Sequence, residues 1–254
     1  MLVSVLASGS KGNATLIKTK EKNILIDVGP RFRYLEEKLK ESNITFKDID
    51  LILISHTHTD HIACLEKIIK KASPMIILSE LMLKDLPFLK GYNNLKILED
   101  KICFNELIIE NIKTSHDTTD SRGYIISENN SSIVQITDTG YLNQKYFDKL
   151  KNKNLYIMES NHNVEMLLNG RYPKWLKKRV YSDVGHLSNE SCAFYLSKLI
   201  GNNTKNIILA HLSEENNTPE LALSAIKNEF LLNDIEFNNI IAAKQNEKTE
   251  TIEV

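Results

Sequence analysis

The sequence predicts an α+β protein in which two β-sheets pack face to face with helices outside. Three observations lead there. Apolar or alternating runs of strand length recur from Leu2 to Leu209, separated by polar clusters rich in Gly, Asn, Lys and Asp. Between them stand segments whose apolar residues recur at helical spacing. The order is a strand-rich half closed by helices and then a second such half, which two sheets with outer helices accommodate.

The elements follow in order. Leu2 to Leu6, Ala14 to Lys18 and Ile24 to Asp27 have the pattern of an antiparallel meander. Phe32 to Lys40 predicts a helix and Leu51 to Ile54 a buried strand. After the polar segment that follows, Ile62, Leu65, Ile68 and Ile69 recur at helical spacing, with Asp60 where an N-cap would stand. Strands are predicted at Met75 to Leu78, Leu95 to Leu98, Leu107 to Ile112, Tyr124 to Ser127, Ser132 to Ile136 and Leu155 to Met158, with a helical segment near Asn143 to Leu150. Helices are predicted at Val164 to Leu168, Trp175 to Val180 and Ser188 to Ile200, then strand Asn206 to Leu209 and helix Pro219 to Phe230. The polar tail from Asn238 to Val254 has room for one or two edge strands.

Length and composition bound the function. With 254 residues, 42% hydrophobic and 26% charged, the chain can build a sizeable core. A net charge of -1 supplies no global basic field, so a polyanionic partner must be met by local charge or by metal. Cys64, Cys103 and Cys192 are odd in number and lack a CxxC pair, which argues against a disulfide frame or thiolate zinc site and for reduced thiols in a cytoplasmic protein. The first ten residues lack a basic leader and read as a strand, and no run is long enough to cross a bilayer.

The chemistry is concentrated in the histidines. Ser55-His56-Thr57-His58-Thr59-Asp60-His61 follows the Leu51 to Ile54 strand, placing four nitrogen or oxygen ligands within six positions. In an extended segment residues two apart share a side, so His56 and His58 can grip one ion. Asp60 and His61, at the start of the next helix, can turn toward a second; Asp60 can cap, bind metal, or do both. His116, Asp138 and His211 stand at or just beyond the ends of later apolar runs and complete the candidate ligands. They span so much of the chain that convergence requires residues 1–254 to fold as one domain.

This HxHxDH segment, the later His, the Asp in Thr137-Asp138-Thr139-Gly140 and the final His resemble the metallo-β-lactamase superfamily. The resemblance implies a four-layer αββα sandwich. It also implies two ions, one on His56, His58 and His116 and the other on Asp60, His61 and His211, with Asp138 between. Two such cations hold a shared hydroxide at neutral pH, and Asp60 can orient it. A donor set of nitrogen and oxygen alone suits Zn²⁺ or Mn²⁺.

Five further motifs narrow the branch: Ser8-Gly9-Ser10-Lys11-Gly12-Asn13, Ile26-Asp27-Val28-Gly29, Glu159-Ser160-Asn161-His162, Gly185-His186-Leu187-Ser188-Asn189, and His211-Leu212-Ser213-Glu214-Glu215-Asn216. Together they resemble the YycJ/WalJ family, which implies a cytoplasmic 5′-to-3′ exonuclease on double-stranded DNA with a link to cell-wall regulation. The family has Asp where this chain has Asn163, which leaves the role of His162 open between local hydrogen bonding and substrate or metal contact. The His186 segment also resembles the tRNA 3′-processing branch, where the corresponding histidine donates a proton to the leaving oxygen. The other reading of His186 is a turn residue before a helix cap. Arg171, Lys174, Lys177, Lys178 and Arg179 around Tyr172 and Trp175 suit either a nucleic-acid surface or a solvated helix with Trp175 in the core. Hydrolysis of a small ester, thioester or lactam by the same site, or a non-catalytic regulatory module, are the alternatives to a nuclease.

Overall fold

The structure, a computed structural model, describes residues 1–254. Strands β1 (Leu2–Ala7), β2 (Ala14–Lys18) and β3 (Asn23–Ile26) form the expected antiparallel meander. β4 (Leu51–Leu53), β5 (Met75–Leu78) and β6 (Leu95–Ile97) then add in parallel, connected through α1 (Phe32–Glu41), α2 (Thr59–Ile62), α3 (Leu65–Ala72) and α4 (Glu80–Asp85). The second sheet opens with antiparallel β7 (Lys101–Phe104), β8 (Leu107–Lys113), β9 (Arg122–Glu128) and β10 (Ser131–Ile136). It continues in parallel through β11 (Leu155–Glu159), β12 (Asn206–Ala210) and β13 (Ile240–Ala242). Helices α5 (Phe147–Leu150), α6 (Val164–Asn169), α7 (Lys174–Val180), α8 (Asn189–Leu199) and α9 (Pro219–Leu232) accompany this half, and β14 (Ile252–Glu253) returns to pair with β1.

Strand order is β14-β1-β2-β3-β4-β5-β6 in one sheet and β13-β12-β11-β10-β9-β8-β7 in the other. Side chains alternate across each strand, and both faces are used. Leu51 and Leu53 point into the intersheet core with Val3, Ile24, Ile109, Tyr124 and Ile157, while Ile52 and Ile54 lie with Leu35, Leu65 and Ile68 under the helices. In the second sheet Tyr156, Met158, Ile207 and Leu209 meet Leu196, Ile226 and Phe230 of α8 and α9. Burial on both faces is why these central strands read as unbroken apolar runs. The layers are helix, sheet, sheet, helix, as the sequence pattern implied. No helix is long and apolar enough to cross a membrane.

Three local expectations are corrected. Asp60 is not the helix cap: His58 holds that position with extended backbone, Asp60 lies inside the first turn, and no side chain caps it. The helix predicted beyond it breaks into α2 and α3, because carbonyls and amides there are drawn into other segments. Asp60 O accepts from Asn13 N at 2.8 Å, His61 O from Val28 N at 2.7 Å, and Cys64 N donates to Val28 O at 3.0 Å. Gly29 permits this approach, since a Cβ there would fall 1.5 Å from the Asp60 carbonyl oxygen. Finally, β7 and α4 were not foreseen. β7 is a four-residue strand whose turn places Asn105 at φ +45°, and α4 is a short helix capped by Ser79 onto Met82 N.

The parallel strands β3, β4, β11 and β12 end at one rim with β10, so the residues just beyond them converge there. Asp27, Asp138 and His211 all have left-handed backbone, at φ +62°, +58° and +56°. Non-glycine residues avoid that region, so the rim stores backbone strain where the candidate ligands sit.

Candidate metal centre

The seven predicted ligands meet at this rim. Ligand atoms of His56, His58 and His116 lie within 4.8 Å of one another, as do those of Asp60, His61 and His211, and those of His56, His61 and Asp138. Asp138 stands between the groups: Oδ2 is 3.2 Å from His61 Nε2, and Oδ1 is 3.5 Å from His211 Nε2 and 3.8 Å from His116 Nε2. Asp60 Oδ2 lies 3.6 Å from His61 Nε2 and 3.8 Å from His211 Nε2. Asp138 thus lies within reach of both the His56, His58 and His116 group and the Asp60, His61 and His211 group.

Each buried ring is aimed by its outer nitrogen. His56 Nδ1 meets Ser55 Oγ at 3.1 Å, His61 Nδ1 meets Asp27 Oδ2 at 2.8 Å, and His116 Nδ1 meets the Gly185 carbonyl at 3.0 Å. His211 Nδ1 lies 3.2 Å from Glu159 Oε1 and 3.2 Å from the Asn161 amide. Partners of this kind fix ring orientation and raise ligand basicity. His58 faces the other way, presenting Nδ1 to His116 Nε2 at 3.2 Å. Inside the cage His56 Nε2, Asp138 Oδ2 and His211 Nε2 are buried with no hydrogen-bond partner. Such orphaned groups are costly unless something binds them. Their all-nitrogen and oxygen chemistry fits divalent cations.

Within the cage, burial and neighbouring charge oppose one another. Burial alone would strip the proton from His61, yet the Asp27 and Asp138 carboxylates hold its pKa well above the ordinary imidazole value. His211 is likewise opposed by burial but lifted by Asp138, Asp60 and Glu159 to about 10. Burial, with the charge of His61, pushes His56 well below the usual range, and burial also lowers His116. Asp138 is buried yet held well below the carboxylate range by His211 and His61.

His186 enters the site in the turn before α8, whose cap is Ser188, with the Ser188 side chain accepting from Ser191 N. Its ring stacks on His211 at 5.2 Å and meets His116 edge-on at 5.0 Å. Nδ1 is engaged by Glu159 Oε1 at 2.7 Å, and its backbone N donates to Val180 O at 2.9 Å. Glu159, His186, His211 and Asp138 also lie within mutual ligand distance. Glu159 approaches both rings on their Nδ1 side, and His186 Nδ1 lies in addition 3.5 Å from Asp138 Oδ1.

Asp27 and Glu159 are the functional residues that sequence reasoning left without a role. Each follows the signature already used for Asp138, an acid closing an apolar strand, and that rule would have found both. His162 is fully buried with neither ring nitrogen partnered and joins none of the ligand groups; burial lowers its pKa to about 4. Asn163 caps α6 by accepting from Met166 N at 2.9 Å, and it does not orient His162. Trp175 is 69% exposed, which excludes the core reading of that residue. Arg179 of α7 grips Asp117 through two hydrogen bonds, and Asp117 Oδ1 lies 3.5 Å from His116 Nε2.

Two facing sheets, helices outside, and a histidine and aspartate cage at the strand ends define a metallo-β-lactamase-fold hydrolase. The metallo-β-lactamase fold protein YhfI from Bacillus subtilis superposes with a TM-score of 0.74 at 17% identity, covering 98% of each chain. The chain belongs to the YycJ/WalJ exodeoxyribonuclease family. It is 36% identical over 228 residues to Exodeoxyribonuclease YycJ of Bacillus anthracis, covering 88% of this chain and 86% of that one. It is 35% identical over 239 residues to Exodeoxyribonuclease WalJ of Streptococcus pneumoniae, covering 91% and 89%. A family profile described as Anti-Pycsar protein Apyc1 matches residues 6–86.

Proposed function

We propose that this protein is a metal-dependent phosphodiesterase of the cytoplasm, acting as a 5′-to-3′ exonuclease on double-stranded DNA through one domain spanning residues 1–254. The observation that carries the reading is His186. It stands beside both ligand triads, its outer nitrogen held by the carboxylate of Glu159, where a leaving oxygen needs a proton. Family membership supports DNA as substrate. The three unpaired cysteines support a reducing compartment.

His56, His58 and His116 would hold one cation, Asp60, His61 and His211 the other, and Asp138 would touch both; Zn²⁺ and Mn²⁺ suit these donors. When bound, two such ions supply an acidified water and positive charge for phosphate oxygens. The chain supplies the rest. Asp60 keeps one carboxylate oxygen toward His61 and His211, leaving the other to accept a hydrogen bond from the attacking water. Glu159, 2.7 Å from His186 Nδ1, fixes the ring and leaves Nε2 as the atom to pass a proton to the departing alkoxide.

Purified protein supplied with Mn²⁺ or Zn²⁺ should shorten end-labelled duplex DNA. His58→Ala and Asp138→Ala should lose metal and activity together. His186→Ala should keep its metal content while turnover falls on the order of 10²- to 10⁴-fold. Intact DNA across several metals would sink the exonuclease reading, and metal loss in His186→Ala would remove the proton-donor role.

A further inference from the structure

Beside Asp60 opens a cavity of about 500 Å³ whose charged lining is lopsided. Lys11, Arg31 and Lys67 face it against one carboxylate, that of Asp60, which the His61 and His211 triad already engages. In a chain of 32 basic and 33 acidic residues this imbalance is local. The three cations come from three segments: the loop between β1 and β2, the residue before α1, and α3. Lys67 Nζ rests 4.3 Å from the centroid of the Phe32 ring, which also lines the cavity. A cation over a ring keeps its charge while its position is restrained. Arg31 precedes α1 without capping it, so its side chain is not committed to that helix. Lys11 pairs with Glu214 at the rim and reaches a second cavity of about 860 Å³ whose charged lining, Lys11 and Arg171 against Glu214 and Glu215, is balanced.

Each flank of the metal centre carries cations without a carboxylate partner, Arg31 and Lys67 on one side and the lysines of α7 on the other. On the side of His58 and His116, Arg179 holds Asp117, and α7 carries Lys174, Lys177 and Lys178. On the side of Asp60 lie Lys11, Arg31 and Lys67. A polyanion running from one flank to the other passes over both ligand triads.

Building on the nuclease reading, we propose that Lys11, Arg31 and Lys67 form a phosphate-binding subsite that holds the nucleic-acid backbone next to the scissile phosphate. The guanidinium of Arg31 offers a planar fork for phosphate oxygens, and the two ammonium groups add charge without sequence preference. The phosphate is either an internal diester or the terminal 5′-phosphate; both present the same oxygens.

The test is the salt dependence of duplex affinity for the metal-loaded protein carrying Arg31→Gln together with Lys67→Gln. Losing two phosphate contacts should reduce the slope of log affinity against log salt by about 2. Lys153→Gln with Lys205→Gln removes the same charge at the far ends of β11 and β12, and should leave the slope as in the natural protein. Duplexes with 5′-phosphate and 5′-hydroxyl ends separate the two sources. If the slope falls only for phosphorylated ends, the terminal group occupies the subsite; if it falls for both, an internal diester does. An unchanged slope, or an equal fall in the distal pair, overturns the subsite. A natural protein that binds DNA with the steeper slope but cuts none would overturn the nuclease reading while leaving the subsite standing.

Discussion

Glu159 has no solvent exposure, yet it holds His186 Nδ1, His211 Nδ1 and the amides of Thr139 and Leu187. Burial favours its neutral form, but the His186 and His211 partners win and hold its pKa at about 2. Unfolded, it would titrate near the ordinary glutamate value of about 4.3. Its stabilising contribution is therefore present above that value and lost as pH falls toward about 2, with a size on the order of 3 kcal/mol. His211 behaves oppositely. Raised to about 10, it stabilises the metal-free fold fully below its unfolded value of about 6.5 and loses that contribution as pH rises through about 10. Denaturant titrations of the metal-free protein should show stability falling on both sides of neutrality, and Glu159→Gln should flatten the acid side. An unaltered acid side in that variant would refute the assignment.

One turn connects α7 to the metal centre. In the turn from Tyr181 to Gly185 the Gly185 carbonyl accepts from His116 Nδ1, and the turn packs against Gly140, two residues past Asp138. A Cβ on Gly140 would come within 2.3 Å of the Asp183 carbonyl carbon and oxygen. Gly140→Ala should displace that turn, costing roughly 1–3 kcal/mol of stability, and should lower turnover because His186 follows the turn directly. Trp175 on α7 makes the opposite prediction. As an exposed residue its replacement by Ala should shift stability by no more than about 0.5 kcal/mol, while DNA affinity falls by roughly 1–3 kcal/mol if a base stacks on it. Unchanged DNA affinity would return α7 to the status of a solvated helix.

At the scale of the whole molecule, the cage should exchange protons for metal. With His61 and His211 both raised above the ordinary imidazole range, each carries a proton at neutral pH, and a cation binds only the neutral ring. Metal uptake at pH 7 should release about two protons, measurable by calorimetry in buffers of different ionisation enthalpy, and apparent affinity should rise between pH 7 and 10. Because ligands come from both sheets, metal should also raise the unfolding temperature of the entire fold, an effect a chelator reverses. What the sequence determined by itself was the layer order, nearly every strand and helix, and the seven candidate ligands that the fold brings to one rim. Those features are local: apolar period, strand length, and a polar side chain at each strand end. Only the tertiary structure decided that His58 is turned opposite to its neighbours, that Asp60 sits inside its helix and not at the cap, and that Asp27 and Glu159 aim the rings. Those outcomes depend on contacts between segments 20 to 58 residues apart in the chain, where no local pattern specifies which backbone group or carboxylate will be nearest.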